Sequence, residues 1–357
     1  MLHHNGRAEF GDLSNKGFNH CPAVKPTRPL KNEPRLRNLC PMNILCVIPI
    51  FNDWASFRHL VRGIEAALGS YDCIIDILAV DDGSSVEIDR REWADETFNR
   101  IRLIEIAQLA CNLGHQKAIA VGLSIASHRK DVDAIVVMDG DGEDRPADLP
   151  RLLDAIRDRA APIVLAHRAK RSEGTAFRFF YMAYKALFRR LTGVSLSFGN
   201  FCALTAAAAK RLTFMPNLWN SLPATCLRSK LPIHTVSTVR GSRYEGEPKM
   251  NFVGLVLHGM QAITVFSDAV LVRLSLAAMA MAAVAAAVVV AVRLGEFEWM
   301  VPGWASNMIG FLVLSLLTVL FGLLSTSLLT LQERSNMPMI PYLHAEMYVS
   351  RIHRLFG

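Results

Sequence analysis

The chain has 357 residues, of which 51% are apolar and 20% are charged, and this apolar share argues against a wholly soluble protein. Its length allows one large domain with an additional segment, or two domains. The net charge of +7 favours an anionic partner, either phosphate groups or a lipid surface. Seven scattered cysteines without a CxxC pair argue against a zinc site or a disulfide framework and indicate reduced thiols.

Residues 1–40 are polar, basic and interrupted by prolines, and they show neither a helical nor a strand period. We predict a disordered basic tail for this segment. The alternative is a basic arm that contacts lipid. The first 15 residues contain no apolar core and therefore do not predict a secretory signal.

Apolar runs and helix-period stretches alternate through the next segment, which we take as one domain over residues 41–249. The predicted strands are NILCVIPI, CIIDILAV, IRLIEIA, DAIVVMD and APIVLAH, and the predicted helices cover 54–68, 115–128 and 147–160. This alternation predicts a mainly parallel sheet with helices on both faces. In such sheets, ligands bind at the carboxyl ends of the strands.

Two uncharged apolar runs, 274–292 and 308–331, predict a two-span transmembrane region over residues 268–335. Each run is long enough to cross about 30 Å of hydrocarbon as a helix. The soluble alternative is a buried helical hairpin, but both runs are apolar on all faces and are too long for ordinary core helices.

Charge around the two runs predicts their orientation. The connecting segment LGEFEWMVPGWASN has no Lys or Arg, whereas Arg334, Arg351 and Arg354 follow the second run. Because positive residues stay on the cytoplasmic side, we expect a multi-pass protein of the cell (inner) membrane with one short outside loop. The large domain and a C-terminal tail, residues 336–357, would then both be cytoplasmic.

Two further stretches have an interfacial character. Residues 250–267 are apolar and lead into the first span, and we predict an interfacial amphipathic helix there. Residues 177–191 mix aromatic side chains with Lys and Arg. The alternative for both stretches is an ordinary amphipathic helix packed on the domain.

An acidic turn follows the fourth predicted strand, with carboxylates at Asp139, Asp141, Glu143 and Asp144. Gly140 leaves room for the oxygens of Asp139 and Asp141 to approach one point. A hard divalent cation, Mg²⁺ or Mn²⁺, would neutralise them and would keep open positions for a diphosphate. A D-x-D pattern alone is weak evidence, because turns are rich in Asp; a plain turn is the alternative.

Several motifs in order place this turn in a wider pattern. PIFND (49–53), VDDGSS (80–85), NLGHQKA (112–118), DGDGEDRP (139–146), AHRAKRSEG (166–174) and RYEGEPK (243–249) follow one another. In order and spacing, this set resembles glycosyltransferase family 2 with the GT-A fold. Within the family it most resembles the dolichol-phosphate mannosyltransferase and bactoprenol-phosphate glucosyltransferase group. The resemblance covers residues 43–335.

The resemblance implies an α/β protein: a cytoplasmic GT-A domain, Rossmann-like with a mainly parallel sheet, followed by two transmembrane helices. It implies a metal-dependent inverting glycosyltransferase that moves a sugar from a nucleotide-diphosphate sugar to polyprenyl phosphate at the cytoplasmic membrane face. The cofactor would be Mg²⁺ or Mn²⁺. The partners would be the donor, the lipid and the membrane, with no nucleic acid. Some members of the group tetramerise, which makes a homo-oligomer a candidate assembly.

The resemblance also implies roles for individual residues. The nucleotide-sugar-binding residues would be Pro49, Asp53, Asp81, Asp82, Asn112 and Gln116. The metal ligands would be Asp139, Asp141 and Glu143, with Asp139, Asp141 and Asn200 at the catalytic centre. The acceptor phosphate would be bound by Arg168, Arg171, Arg243 and Lys249. We expect His115, at a predicted helix start, to be a helix-entry residue near the nucleotide rather than a metal ligand.

Besides Glu143, which stands where the family has Gln, three positions depart from the family pattern. Pro248 replaces a Ser, Arg145 replaces a Pro, and Asn200 replaces an Asp that is a candidate general base. An amide cannot accept a proton at neutral pH, but a phosphate acceptor is already an anion. Asn200 therefore suits polyprenyl phosphate. Two alternatives are a family 2 transferase that acts on a hydroxyl of a lipid or glycan, and a catalytically inactive scaffold that binds nucleotide sugars.

Overall fold

The computed structural model describes residues 41–168, 175–195, 198–245, 252–294, 303–335 and 337–357. The predicted tail 1–40 lies outside these residues. The strands are β1 (Met42–Ile50), β2 (Cys73–Asp81), β3 (Ile101–Leu109), β4 (Ala134–Val137), β5 (Ile163–Arg168), β6 (Cys202–Thr205), β7 (Ile233–Thr238) and β8 (Val349–Phe356). The helices are α1 (Trp54–Leu68), α2 (His115–Ser127), α3 (Leu149–Arg157), α4 (Thr175–Thr192), α5 (Ala206–Thr213), α6 (Leu222–Arg228), α7 (Phe252–Thr264), α8 (Ser267–Leu294), α9 (Trp304–Ser335) and α10 (Pro341–His344).

The strands form one sheet in the order β7-β5-β6-β4-β1-β2-β3-β8. Neighbours pair in parallel at β1–β2, β1–β4, β2–β3 and β5–β7, and antiparallel at β4–β6, β5–β6 and β3–β8. The α/β class and the mainly parallel sheet are confirmed. All five predicted strands and all three predicted helices form, with shifts of a few residues at their ends.

Helices cover both faces of the sheet, and this explains why its central strands read as unbroken apolar runs. On one face, α1 and α3 pack over Ile44, Ile48 and other buried residues of β1 and β2. On the other face, α2 and α5 pack over the alternate residues, such as Val47 and Val80. The carboxyl ends of β1, β2 and β4 are thereby held at one edge of the sheet.

A glycine lets α2 approach the sheet closely. A Cβ atom built on Gly122 would overlap Val47 Cγ1 and would lie 2.8 Å from Val80 Cγ2. Since both valines are fully buried in the sheet, neither can move away cheaply.

The short strand β6 runs antiparallel between β4 and β5. Its first residue, Cys202, pairs with Val137 at the end of β4. Because of this reversed direction, the residues that precede β6 lie at the edge where β4 ends. Asn200, far from the acidic turn in sequence, is thus brought beside it.

The prediction of a C-terminal tail over 336–357 is wrong for its last part. Residues Val349–Phe356 form β8 and pair antiparallel with β3, for example Gln108 with Arg351. The segment VSRIHRLF has no clean two-residue apolar alternation, because an edge strand buries little of its surface, and its partner lies far away in the sequence.

The two stretches with interfacial character are helices that use one face for packing. Tyr184 of α4 donates a hydrogen bond to the Gly259 carbonyl of α7. Phe188, Ala262 and Val265 share a buried cluster with α6. Other side chains of the same helices, including Val256, Leu257, Met260, Met182 and Leu187, are exposed. Each helix therefore packs on the domain and presents a second apolar surface outward.

Helices α8 and α9 contain segments long and apolar enough to cross a membrane, Ser267–Ala291 and Ser306–Leu329. Only 6% of the most apolar window of the first and none of the second is buried. The alternative of a buried hairpin is therefore wrong. Arg228 of α6 fixes the start of α8 by hydrogen bonds to the Val265 carbonyl (2.7 Å) and to Asp268 (2.9 Å).

Gly122→Ala should destabilise the protein, because the added methyl group would overlap the valines of β1 and β2. Overpacking of this kind costs about 1–3 kcal/mol. Thermal unfolding in detergent would show a lower midpoint than in the wild type. The matched control is Gly310→Ala inside α9, where a Cβ atom has nothing within 4 Å. An unchanged midpoint for Gly122→Ala would contradict the close packing of α2.

Candidate active site

The acidic turn after β4 is built on its own carboxylates and glycines. Asp144, almost fully buried, accepts a hydrogen bond from the backbone N–H of Asp139 at 3.0 Å. A Cβ atom on Gly140 would lie 2.7 Å from Ile50 Cδ1, and Gly142 adopts φ +90° against the Tyr244 ring. Asp144 is therefore a structural carboxylate that closes the turn.

Arginines from the segment after β7 neutralise part of the turn. Arg240 donates to both oxygens of Glu143, at 2.8 and 3.1 Å. Arg243 contacts Glu143 at 3.1 Å and Asp141 at 2.8 Å. The backbone N–H of Glu143 also donates to Asp141 at 2.9 Å. Burial, and next the charge of Asp139, raise the pKa of Asp141. Arg243 therefore bridges two carboxylates that would otherwise repel each other.

Asp139 contacts a histidine at the start of α2. Its Oδ1 lies 3.1 Å from Nε2 of His115, the first residue of that helix. Burial lowers the pKa of His115, but the charge and hydrogen bond of Asp139 outweigh it, so the net pKa is raised. The expected helix-entry position of His115 is confirmed, and the structure adds its direct contact with the acidic turn.

A chain of buried amides supports this histidine. The backbone N–H of Leu222 donates to Gln116 Oε1 at 2.8 Å, which turns the Gln116 amide nitrogen toward Asn200 Oδ1 at 2.9 Å. The Asn200 amide nitrogen then lies 2.9 Å from His115 Nε2. An unprotonated Nε2 accepts from Asn200, and a protonated one donates to Asp139. A carboxylate at position 200 would instead add a further negative charge.

The motifs VDDGSS (80–85) and NLGHQKA (112–118) are joined by hydrogen bonds. Both oxygens of Asp82 accept backbone hydrogen bonds, from Leu113 at 2.7 Å and from Gly114 at 2.9 Å. Asp81 Oδ1 accepts from the Ser84 backbone at 2.9 Å. Gly83 adopts φ +71°, and a Cβ atom there would lie 2.7 Å from the Asn112 backbone nitrogen. Both aspartates are buried: Asp82 is engaged by the loop before α2, and Asp81 is the last residue of β2.

The remaining predicted site residues divide by their place in the fold. Pro49 is buried in β1, and Asp53 precedes α1 at the end of the same strand. Asn112 is exposed in the loop before α2. Gln116 is buried, so it acts through Asn200 rather than by facing solvent. Arg168 is the last residue of β5. Arg171 and Lys249 lie outside the described residues.

Two of the three predicted metal ligands, Asp139 and Asp141, are placed to bind a divalent cation. Asp139 and Asp141 present carboxylate oxygens from one turn. Burial, and next the charge of Asp139, raise the pKa of Asp141, and a dication would relieve the repulsion between the two carboxylates. Glu143 is instead held by two arginines. Within the described residues, no three His, Cys, Asp or Glu side chains form a ready metal cluster.

Sequence reasoning missed three contributors to the site. Asp144 was grouped with the other acids, although its burial makes it structural. Arg240 belongs to no motif in the sequence, yet it makes two bonds to Glu143. His258 of α7 lies near the turn: burial and then His115 lower its pKa, while Asp139 raises it. The charges of His258, in a helix next to the apolar spans, and of the acidic turn therefore influence each other.

Comparison with known proteins identifies the class. Residues 45–211 match the profile described as glycosyl transferase family 2. This match to glycosyl transferase family 2 covers just under half of the chain and agrees with the resemblance deduced from the motifs. This region contains the sheet from β1 to β6 and the acidic turn with its His115 and Asn200 neighbours.

Two curated relatives are similar to this chain over about half of its length or more. The chain is 28% identical over 190 residues to the dodecaprenyl-phosphate galacturonate synthase of Rhizobium johnstonii, covering 51% of this chain and 54% of the relative. It is 29% identical over 224 residues to the undecaprenyl-phosphate 4-deoxy-4-formamido-L-arabinose transferase of Edwardsiella ictaluri, covering 59% and 63%. The chain thus spans less than two thirds of the length of either relative.

One solved structure is similar at lower identity. It is the glucosyl-3-phosphoglycerate synthase of Mycobacterium tuberculosis in complex with Mn²⁺ and uridine-diphosphate-glucose. The sequence identity is 15% and the TM-score is 0.46, and the match covers 64% of this chain and 79% of that chain.

Asn200→Leu should destabilise the protein more than Asn200→Asp does. Leucine removes the acceptor for the buried Gln116 amide, and an unpaired buried amide costs about 1–3 kcal/mol. Aspartate keeps that acceptor and the side-chain shape. Thermal unfolding of both variants in detergent measures the difference. Equal midpoints for Asn200→Leu and the wild type would show that the amide chain has no structural role.

Proposed function

We propose that this protein is a metal-dependent inverting glycosyltransferase that moves a sugar from a nucleotide-diphosphate sugar onto polyprenyl phosphate at the cytoplasmic face of the membrane. The observation that carries this proposal is the acidic turn, Asp139-Gly140-Asp141, at the carboxyl end of β4 inside a family 2 domain. Both curated relatives are named for polyprenyl-phosphate acceptors, and this supports a polyprenyl phosphate as the acceptor here.

The donor would lie across the carboxyl ends of β1, β2 and β4. Asp81 and Asp53 would contact its nucleoside part, and the Asp82 carboxylate would hold the loop 112–114 that borders it. Asp139 and Asp141 would bind Mg²⁺ or Mn²⁺, which when bound offsets the charge that builds on the leaving diphosphate. His115 and Asn200 would orient Asp139 for this role.

The acceptor would need no general base. A phosphate oxygen of the lipid attacks the anomeric carbon, the bond from that carbon to the diphosphate oxygen breaks, and the nucleoside diphosphate leaves with the bonding electrons. Since a lipid phosphate is already an anion, Asn200 in place of a carboxylate is compatible with the reaction. Arg243, which reaches Asp141, and Arg168, at the end of β5, would contact the acceptor phosphate.

Chain topology supports the membrane placement. The sheet receives strands from before α8 and one strand, β8, from after α9. Both ends of the α8–α9 hairpin must therefore lie on the same side, so two crossings are consistent with the fold and one crossing is not. The exposed basic residues Arg189 and Arg190 of α4 would face anionic headgroups on that side.

Reconstitution tests the proposal directly. Purified protein with polyprenyl phosphate, Mn²⁺ and a panel of labelled nucleotide sugars should yield a labelled lipid whose anomeric configuration is inverted. A parallel reaction with a polyprenol, which offers a hydroxyl instead of a phosphate, should yield none. Transfer to the alcohol alone would favour the hydroxyl-acceptor alternative, and binding without transfer to any acceptor would favour an inactive scaffold.

Asp141→Ala should lose nearly all transfer activity, because one of the two carboxylates for the dication is removed. Asn200→Asp should retain activity, since a phosphate acceptor does not need a base at this position and the contact to Gln116 is kept. Initial rates at saturating Mn²⁺ measure both. The control is Asp89→Asn, an exposed carboxylate that contacts Arg91. Wild-type rates for Asp141→Ala would remove the metal-binding role of the turn.

A further inference from the structure

The register of the sheet places residues of β8 in line with the predicted nucleotide end of the donor site. Asp81 of β2 pairs with Gln108 of β3, and Gln108 pairs with Arg351 of β8. Directly paired residues lie on the same face, so these three side chains form a row across the carboxyl edge. His353 lies two residues along β8, on the same face, opposite Ile106.

This row borders a pocket on the α1 side of the sheet. Asp81, Arg351 and His353 line it, together with Trp54 at the start of α1 and Arg90 of the loop that follows β2. Neighbouring strands are about 4.8 Å apart, so the backbones of Asp81 and Arg351 are separated by roughly 10 Å. Gln108 lies between them in the row, so a planar base that bridged Asp81 and Arg351 would lie over the Gln108 side chain.

Hydrogen bonds to neighbouring residues fix three side chains of the pocket wall. The Trp54 indole N–H donates to the Val86 carbonyl at 2.8 Å. Arg351 Nε donates to Gln108 Oε1 at 2.6 Å, which leaves the guanidinium with further N–H groups to donate. The Asp81 carboxylate is fixed by its bond to the Ser84 backbone.

His353 adds an unusual buried atom. Its Nδ1 is buried and has no hydrogen-bond partner among the residues that the structure describes. Burial, followed by the charges of Arg90 and Arg351, lowers the pKa of His353. A neutral imidazole offers one donor and one acceptor, and a buried polar atom of this kind normally requires a partner.

We propose that Arg351 and His353 of β8 complete the nucleobase subsite of the donor site and read a base that has a carbonyl beside a ring N–H. This inference rests on the proposed function and specifies its donor. The Asp81 carboxylate can only accept hydrogen bonds, and the Arg351 guanidinium can only donate them. Uracil and guanine present a ring N–H next to a carbonyl, whereas adenine has no carbonyl and cytosine no ring N–H on its pairing edge.

The subsite would also link donor binding to the membrane segments. Arg351 and His353 follow α9 in the chain, so they reach the sheet only when β8 is paired with β3. The catalytic domain without its C-terminal segment would lack one wall of the pocket. The motifs of the first 250 residues are therefore insufficient to define donor recognition in this protein.

The test measures binding of UDP, GDP, CDP and ADP by isothermal titration calorimetry, with the full chain in detergent and with Mn²⁺. The wild type should prefer UDP or GDP. Arg351→Ala should weaken binding of the preferred nucleotide by 10-fold or more and should reduce the preference of the protein for this nucleotide over ADP. His353→Ala should weaken the same binding by a smaller factor. The matched control is Arg354→Ala, which removes the same charge from the same strand, where Arg354 contacts the Gly357 carbonyl. Its affinities should equal those of the wild type.

The outcomes separate this inference from the proposed function. Unchanged affinities for Arg351→Ala, or a wild-type preference for ADP or CDP, would overturn the subsite while leaving a transferase with another donor. Binding of no nucleoside diphosphate to the wild type would overturn the proposed function and this inference together. Circular dichroism verifies the fold of each variant. If Arg351→Ala does not fold, Arg351→Gln keeps the stem and provides the same comparison.

Discussion

Electrostatic compensation of the acidic turn is the constraint on which the site depends. Four carboxylates follow one short strand, and each has a different solution to their mutual repulsion. Asp144 accepts a hydrogen bond from the backbone, and Glu143 is paired with Arg240. Asp141 shares Arg243 with Glu143, and Asp139 contacts His115. Two of the four are thus committed to the protein itself. Asp139 and Asp141 remain as the pair best suited to an external cation.

The partners of this turn come from separate parts of the chain. His115 begins α2, Asn200 precedes the antiparallel strand β6, and Arg243 follows β7. His115 and Arg243 come after the carboxyl ends of β3 and β7, and Asn200 reaches the same edge because β6 is reversed relative to its neighbours. A dication bound by the turn would compete with Arg243 for Asp141, so protein cations and metal would share the same oxygens. Binding of a metal at the turn would therefore be coupled to the position of Arg243.

The two apolar helices α8 and α9 belong to the same compact unit as the sheet. Arg228 ties α6 to the start of α8, and Arg273 of α8 donates to the Leu191 carbonyl at the end of α4. After α9 the chain returns to form β8 at the free edge of β3. The sheet and the apolar helices α8 and α9 are therefore joined by hydrogen bonds.

The sequence by itself determined the elements whose signal is local. Five buried strands, helix α1, the two long apolar helices and the D-x-D turn all follow from periodicity, length or motif order. The tertiary structure alone decided which acid is structural, that Glu143 pairs with arginines, that Gln116 is buried behind Asn200, and that β8 joins the sheet. These facts depend on contacts between residues distant in sequence, such as Arg240 with Glu143 and Arg351 with Gln108. No local pattern records such pairs, since each partner alone is compatible with an ordinary exposed side chain.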